Sequence, residues 1–375
     1  MLFEIKNTEF EMSGTYYGDY LKLDKLLSAQ EPLSKSHGQE SHDETLFIVV
    51  HQVYELWFKQ ILHELKSIRD LFIGDNIEER SLHSVNERLE RIIKIQNLLI
   101  DQLPVMETMT PMDFLEFRDL LVPASGFQSI QFRQIEIIMG LPTGRRGKID
   151  RQYFMGRLSE SDQKSIDEAE AQQSLFDGLE KWLERIPFTK EKNFDFWNAY
   201  RTTVDDMLTN EEQILLKNLA TLPEAAKEAQ MEGLESTKKT FASLFDPKQF
   251  LKLTKSGKRR LSQRATLNAL FILLYRDEPI LHQPYRLLNL LMDIDENFTS
   301  WRQRHAIMAQ RMLGTKVGTG GSSGHEYLKM AAEKNRVYLD LFNLSTFLIP
   351  RSKLPVLPSE LKRQLNFYIA EEGNK

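Results

Sequence analysis

The feature that most constrains the fold is a helical repeat of apolar residues along nearly the whole chain. Residues 46–72 read LFIVVHQVYELWFKQILHELKSIRDLF, apolar almost all round at first and on one face later. That change is typical of a helix that begins inside a core and ends near the surface. Residues 82–99 repeat their apolar side chains at spacings of three and four, which predicts a second long helix.

Further helices are predicted by the same period, with prolines between several of them. A short helix over 113–121 should stop before Pro123. The others are expected at 174–186, 194–222, 224–245, 260–275, 284–292 and 298–313. The period-two alternation of strands is scarce. We therefore predict an all-α fold built on long core helices.

No repeat, low-complexity segment or long linker forces a domain boundary. Residues 1–375 are therefore predicted to form one domain. Within it, approximately residues 150–250 are expected to form a peripheral helical excursion. Residues 221–239 are rich in Ala, Glu and Lys, which predicts a solvated, projecting helix.

Composition excludes several classes of protein. The 49 Lys and Arg against 54 Asp and Glu leave a net charge of −5, which argues against nucleic acid as the main partner. The chain has no cysteine, so disulfides, zinc ribbons and thiol catalysis are excluded. The longest clean apolar run, residues 269–275, is far short of the roughly 20 residues of a membrane helix. We expect a soluble, cytoplasmic protein with no membrane or nucleic-acid partner.

His305 is the first residue singled out for chemistry. It lies in WRQRHAIMAQRMLG, where Trp301, Met308 and Met312 fall on the same side of a helix. A lone imidazole among flat apolar side chains suits an axial ligand of haem iron. The alternative is an ordinary core histidine.

His51 lies in the most apolar part of its helix, on one face with Phe47, Tyr54 and Phe58. It is either a core histidine satisfied by a carbonyl or a functional one. His42 and Glu44, just upstream, superficially resemble the ligands of a non-haem iron centre. Acidic residues there also suit the start of the helix that follows.

Arg118 stands in the apolar stretch FLEFRDLLVPASGFQSIQFR. A guanidinium in such surroundings must be paired, because burial of a lone charge is too costly. Its planar fork suits a carboxylate ligand. A structural ion pair with Glu116 or Asp119 is the alternative.

The glycine-rich stretch GTGGSSG, residues 318–324, precedes a helical pattern. Backbone N–H groups of such a loop can contact an anion at a helix start. The Gly-Lys-Ser/Thr of a P-loop does not follow. A plain surface loop is the alternative.

Taken together, these segments resemble the tryptophan 2,3-dioxygenase family. The resemblance covers the chain from about Tyr17 to about Pro355. The matching strings are YGDYLKLDKLLSAQ (17–30), HDETLFIVVHQVYELWFKQI (42–61), FRDLLVPASGFQSIQFR (117–133), SLFDPKQF and SGKRRLSQRA (within 243–265), WRQRHAIMAQRMLGTKVGTGGSSG (301–324) and DLFNLSTFLIPR (340–351).

The resemblance implies an all-α homotetramer that uses haem b and dioxygen to convert L-tryptophan to N-formylkynurenine. His305 would be the axial ligand of the iron, with Ser125 and Trp301 also at the haem. His51 would be the distal histidine at the indole N–H, and Arg118 would hold the substrate carboxylate. The remaining substrate contacts would come from Phe47, Phe114, Leu121, Thr319, Tyr17 and Tyr20, the two tyrosines reaching a neighbouring subunit's pocket.

One departure is visible, because many animal members carry a histidine where this chain has Gln310. That position is not the iron ligand in the family, so activity is still expected. A haem sensor without turnover would use the same His305 but need no clamp for a carboxylate. A non-haem iron hydroxylase would instead use His42 and Glu44.

Overall fold

Helices make up almost all regular structure in the computed structural model, which describes residues 14–74, 79–142, 154–187, 190–191, 194–218, 223–314, 316 and 324–366. In chain order they are α1 (Tyr17–Leu21), α2 (Leu23–Leu27), α3 (Leu33–Ser36), α4 (His42–Ile73), α5 (Glu79–Met106), α6 (Pro111–Arg118), α7 (Ile130–Met139), α8 (Glu160–Glu170), α9 (Leu175–Glu184), α10 (Phe196–Asn218), α11 (Glu224–Phe245), α12 (Pro247–Lys255), α13 (Gln263–Leu274), α14 (His282–Leu313), α15 (Gly324–Lys334), α16 (Leu339–Asn343) and α17 (Ser359–Leu365). Two short strands, β1 (Lys190–Glu191) and β2 (Phe194–Asp195), pair antiparallel with Lys190 opposite Asp195. The predicted all-α fold is confirmed.

Two of the predicted helices are in fact one. Residues 284–292 and 298–313 both belong to α14, which runs unbroken for 32 residues through the polar stretch between them. Asp295 in that stretch is buried and its carboxylate accepts hydrogen bonds from the N–H groups of Val337 and Tyr338. The prediction of two helices was wrong because a long-range contact satisfies a residue that looks like a helix break.

The core lies between the two longest helices and their neighbours. α14 packs against α5 and α15, while α4 packs against α5, α7 and α9. Side chains that recur at helical spacing along α4, such as Phe58, Ile61, Leu65 and Ile68, are buried in one continuous apolar cluster. This packing brings the middle of α4 and the C-terminal half of α14 to the same region of the molecule.

The interface of α4 with α9 depends on a glycine. A Cβ built on Gly178 of α9 would lie 2.7 Å from the Cβ of Phe72 on α4, closer than real side chains approach. Only a residue without a side chain allows the two helices to meet at this distance.

The region between about 150 and 250 contains both core and solvated segments. α9 and the first part of α10 contribute buried residues, including Leu179, Phe196 and Tyr200, to the main apolar cluster. The far end of α10, from residue 209, and the first turns of α11 have no buried side chain in the described residues. A single domain with a peripheral excursion here stays a prediction.

α1 and α2 contain no buried residue. Their apolar side chains, among them Tyr17 at 69% and Tyr20 at 75% exposure, face solvent in the isolated chain. Across the described residues, none of the helices has both the length and the hydropathy needed to cross a membrane.

Candidate active site

Two histidines from the longest helices lie close together. His51 is on α4 and His305 is on α14. Burial, and to a smaller extent the nearby His51 imidazole, lowers the pKa of His305 to about 4. Both rings are therefore neutral near pH 7, and each has a nitrogen lone pair that a ligand or a metal can use.

The surroundings of His305 fit an axial ligand. The indole of Trp301 stacks on its ring, with centroids 5.1 Å apart and planes inclined by only 3°. Nδ1 of His305 is buried, and no hydrogen-bond partner reaches it within the described part of the chain. A buried imidazole without a partner is costly unless another group satisfies it. The donor set, one neutral histidine flanked by an aromatic plane, fits a haem iron.

The hydrogen bond of His51 fixes which ring nitrogen is left as an acceptor. Nδ1 lies 2.7 Å from the carbonyl oxygen of Phe47, one turn earlier on α4, so Nδ1 carries the proton and donates. Nε2 is then an acceptor in the neutral ring. Burial lowers the pKa of His51, while the Phe47 hydrogen bond and the charge of Glu55 oppose that shift. The arrangement suits acceptance of an N–H from a ligand.

Aromatic side chains form a wall next to His51. The ring of Phe47 lies 4.2 Å from the His51 ring, 5.7 Å from Phe114 and 5.6 Å from Phe117, measured between centroids. Phe47, Phe114 and Leu121 are partly buried and pack against the main core, whereas Phe117 is fully buried. The rings of α4 and α6 therefore pack together beside His51, and Leu121 follows on the 3-10 turn Asp119–Leu121.

Arg118 ends α6, one turn after Phe114. Its side chain is 14% exposed, and Nη1 lies 3.2 Å from the carboxylate of Asp119, which is 87% exposed. Of the two structural pairs considered from the sequence, the one with Asp119 is present. Because Asp119 is largely exposed, water screens its charge and this ion pair contributes little.

The other predicted site residues are placed as follows. Ser125 begins the 3-10 turn Gly126–Gln128, and its Oγ accepts a long hydrogen bond from the N–H of Phe127. Gln310 is exposed on α14. Tyr17 and Tyr20 are on the exposed α1, and Thr319 lies outside the described residues.

The hypothesis of a non-haem iron centre at His42 and Glu44 finds no support. The buried carboxylate of Glu44 accepts hydrogen bonds from the N–H groups of Leu33 at 2.8 Å and Ser34 at 2.9 Å, so it caps α3. Among the described residues no group of three His, Asp or Glu side chains is arranged to hold a metal ion. Asp43 and Glu44 also lie in the first turn of α4, as a helix start favours.

Several residues that support this site do not stand out in any single motif. Phe132 of α7 contacts Trp301 at 5.2 Å and Phe58 at 5.3 Å between ring centroids. Gln131 donates to the carboxylate of Glu55 at 2.8 Å, next to His51. Phe132 and Gln131 both lie within the string 117–133, but a local pattern does not show which side chains they contact.

Comparison with known proteins decides the family. The family model described as tryptophan 2,3-dioxygenase matches residues 3–348. The chain belongs to the tryptophan 2,3-dioxygenase family. A tryptophan 2,3-dioxygenase of Alteromonas mediterranea is 50% identical over 354 residues, which cover 94% of this chain and 98% of that protein. Those of Bdellovibrio bacteriovorus and Dictyostelium discoideum are 49% and 45% identical, each over 94% of this chain and over 98% and 88% of their own lengths.

Membership of the tryptophan 2,3-dioxygenase family confirms the predicted enzyme class, a dioxygenase that acts on tryptophan. It also favours an enzyme over the alternative of a sensor without turnover. The geometry above agrees with this assignment. An apolar wall and an arginine suit an amino acid with an indole side chain, and neutral histidines suit a cofactor that contains a metal.

Proposed function

We propose that this chain binds haem b through His305 and oxidises L-tryptophan to N-formylkynurenine with the indole held between His51 and the wall of Phe47, Phe114 and Leu121. The observation that carries the proposal is the imidazole of His305, which stacks on Trp301 and whose buried Nδ1 has no hydrogen-bond partner among the described residues. Ser125 would lie near the haem edge and the substrate.

Ferrous haem supplies the activation of dioxygen, which by itself reacts sluggishly with a closed-shell indole. The protein residues supply position. The indole C2–C3 bond receives both oxygen atoms only if the ring is held in one orientation beside the oxygen. The aromatic wall limits the tilt of the indole and excludes water from it.

Both ends of the substrate are recognised. Nε2 of His51 accepts the indole N–H, since its Nδ1 is already bonded to the Phe47 carbonyl. Arg118 pairs with the carboxylate, and Thr319 contacts the amino-acid end. An indole without a carboxylate would leave Arg118 without its ligand in a poorly hydrated place, which accounts for selectivity toward the amino acid.

The active unit in this proposal is a homotetramer in which Tyr17 and Tyr20 complete the pocket of a neighbouring subunit. The support is that α1 and α2 bury no residue in the isolated chain while exposing large apolar side chains. A monomer rarely leaves so many neighbouring apolar groups uncovered. Cytoplasmic residence is part of the same proposal and fits a chain without cysteine.

The test is the visible spectrum of the purified protein, with and without L-tryptophan, for the wild type and His305→Ala. The wild type should show a Soret band that shifts with L-tryptophan, and His305→Ala should lose haem or change its ligation. His282→Ala, exposed at the start of the same helix, is the matched control and should keep the wild-type spectrum. A normal spectrum and activity in His305→Ala would exclude this residue as the ligand.

A further inference from the structure

A buried polar cluster includes Arg302, the residue that follows Trp301 on α14. It consists of Glu136 on α7, Arg302 on α14 and Asn335 at the end of α15, all three buried. Nη2 of Arg302 donates to Oε1 of Glu136 at 2.8 Å, and Nη1 donates to the carbonyl of Asn335 at 2.9 Å. One guanidinium therefore joins α14 to α7, 166 residues away along the chain, and to the residue that follows α15.

The geometry of the pair is specific. Glu136 accepts from Arg133 with its other oxygen at 2.8 Å, and the amide of Asn335 donates to its Oε1 at 3.3 Å. The planar fork of arginine can satisfy a carboxylate and a carbonyl at once, which a lysine cannot do in the same geometry. Buried ion pairs are seldom retained for stability, because an apolar pair of similar volume often does as well. The alternative explanation is that the pair specifies the geometry of the helices that it joins.

Aromatic contacts connect this cluster to His305. The guanidinium of Arg302 lies 5.7 Å from the ring centroid of Phe132, which is one turn before Glu136 on α7. The Phe132 ring contacts Trp301, and Trp301 stacks on His305. α7 thus uses Phe132 and Glu136, at i and i+4, to hold residues 301 and 302 of α14. The rotation of α14 about its axis sets the direction of His305.

We propose that Arg302 and Glu136 are positioning residues, which fix the direction of the His305 imidazole and tie it to the helix that follows the glycine-rich stretch. This inference rests on the proposed function, because it treats His305 as the haem ligand. Neither residue touches substrate or haem in the proposal. Both act through Phe132 and Trp301.

The experiment separates positioning from stability with two variants of the holoenzyme. The double variant Glu136→Gln with Arg302→Met removes both charges of the pair. It also takes the carboxylate partner from Arg133, whose side chain is 13% exposed, so its Tm is compared with that of a control that loses a similar partner of an arginine. Arg302→Lys keeps the charge but loses the fork. The control is Glu64→Gln on α4. It also removes a buried carboxylate that pairs with an arginine, since Oε1 of Glu64 lies 2.8 Å from Nη1 of Arg91.

The readouts are the rate of haem release to excess apomyoglobin and the Soret position, recorded beside Tm. Loss of groups that orient a metal ligand commonly weakens metal binding about 10- to 100-fold, so haem release from the double variant should accelerate by that order. Arg302→Lys should fall between it and the wild type. If the double variant does not fold, Arg302→Lys decides by the same measurements.

Equal haem release and Soret position in the double variant, Arg302→Lys and Glu64→Gln would overturn the inference, whatever their Tm values. That result is distinguishable from failure of the proposed function. A wild-type protein that never shows a Soret band would contradict the haem assignment itself. A wild type with haem and unaffected variants would contradict the positioning role alone.

Discussion

His51→Ala distinguishes two roles for the distal histidine, acceptance of the indole N–H and removal of its proton. The geometry favours acceptance, because Nδ1 is bonded to the Phe47 carbonyl at 2.7 Å and Nε2 is left as a neutral acceptor. Burial also lowers the pKa of His51, which makes the imidazole a weaker base. Indole is a very weak N–H acid, so complete proton transfer to such a base is badly mismatched.

The expected loss follows from the kind of interaction removed. A neutral hydrogen bond contributes about 0.5–1.5 kcal/mol net, which corresponds to a fall in kcat/KM of about 2- to 13-fold. Loss of a general base would instead cost about 10²- to 10⁴-fold. Steady-state kinetics with L-tryptophan in air measure this difference, and His63→Ala, exposed on the same helix, is the control.

Two further measurements sharpen the assignment of His51. 1-Methyltryptophan should be a poor substrate of the wild type, since the methyl group removes the donor and collides with Nε2, and His51→Ala should partly restore its oxidation. Because the pKa of His51 is lowered, the ring stays neutral at and above its ordinary pKa of about 6.5. Activity should be lost only as the pH falls through the lower folded value, where Nε2 becomes a donor and opposes the indole N–H. A variant that binds haem and tryptophan yet oxidises neither substrate would refute orientation and favour proton transfer.

Three other perturbations test separate parts of the structure. Arg118→Leu should raise KM for L-tryptophan about 10- to 160-fold, since a charge-assisted pair contributes about 1.5–3 kcal/mol. The affinity for tryptamine, which has no carboxylate, should not fall, and an unchanged KM for L-tryptophan would place the carboxylate elsewhere. Deletion of residues 1–24 should abolish activity and the tetramer together in activity and sedimentation measurements, and a fully active truncated monomer would contradict the proposed shared pocket. Gly178→Ala should lower Tm by overpacking against Phe72, at a cost of about 1–3 kcal/mol. The control, Gly233→Ala on α11, has nothing within 4 Å of the added Cβ and should be neutral or stabilising by up to about 1 kcal/mol. A higher Tm for both variants would show that α4 and α9 can separate at no cost.

Local patterns in the sequence predict much of this structure. The apolar repeat locates α4 and α5, and the prediction of a helix over 224–245 coincides with α11. Helical spacing also predicts that Trp301 and His305 lie on one side, where their rings do stack. These features depend on residues three or four apart, so the sequence around each one is sufficient.

Long-range contacts are what the local patterns cannot predict. α14 carries a buried carboxylate, Asp295, in mid-helix, and the N–H groups that satisfy it, those of Val337 and Tyr338, are about forty residues away along the chain. Arg302 and Glu136 pair across 166 residues, and neither stands out in its own segment. The proton position on His51 depends on a carbonyl one turn away, which a sequence offers equally to any helical histidine.

The same apolar surroundings perform two tasks at this site. Removal from water lowers the pKa of both His51 and His305, because it raises the free energy of the protonated rings more than that of the neutral rings. Neutral rings present lone pairs, one for an indole N–H and one for a metal. The same surroundings make the carboxylate of a ligand costly to bury unless Arg118 pairs with it. In the proposed site, the charge of Arg118 at one end and the neutral rings at the other would therefore select a molecule that is itself ionic at one end and aromatic at the other.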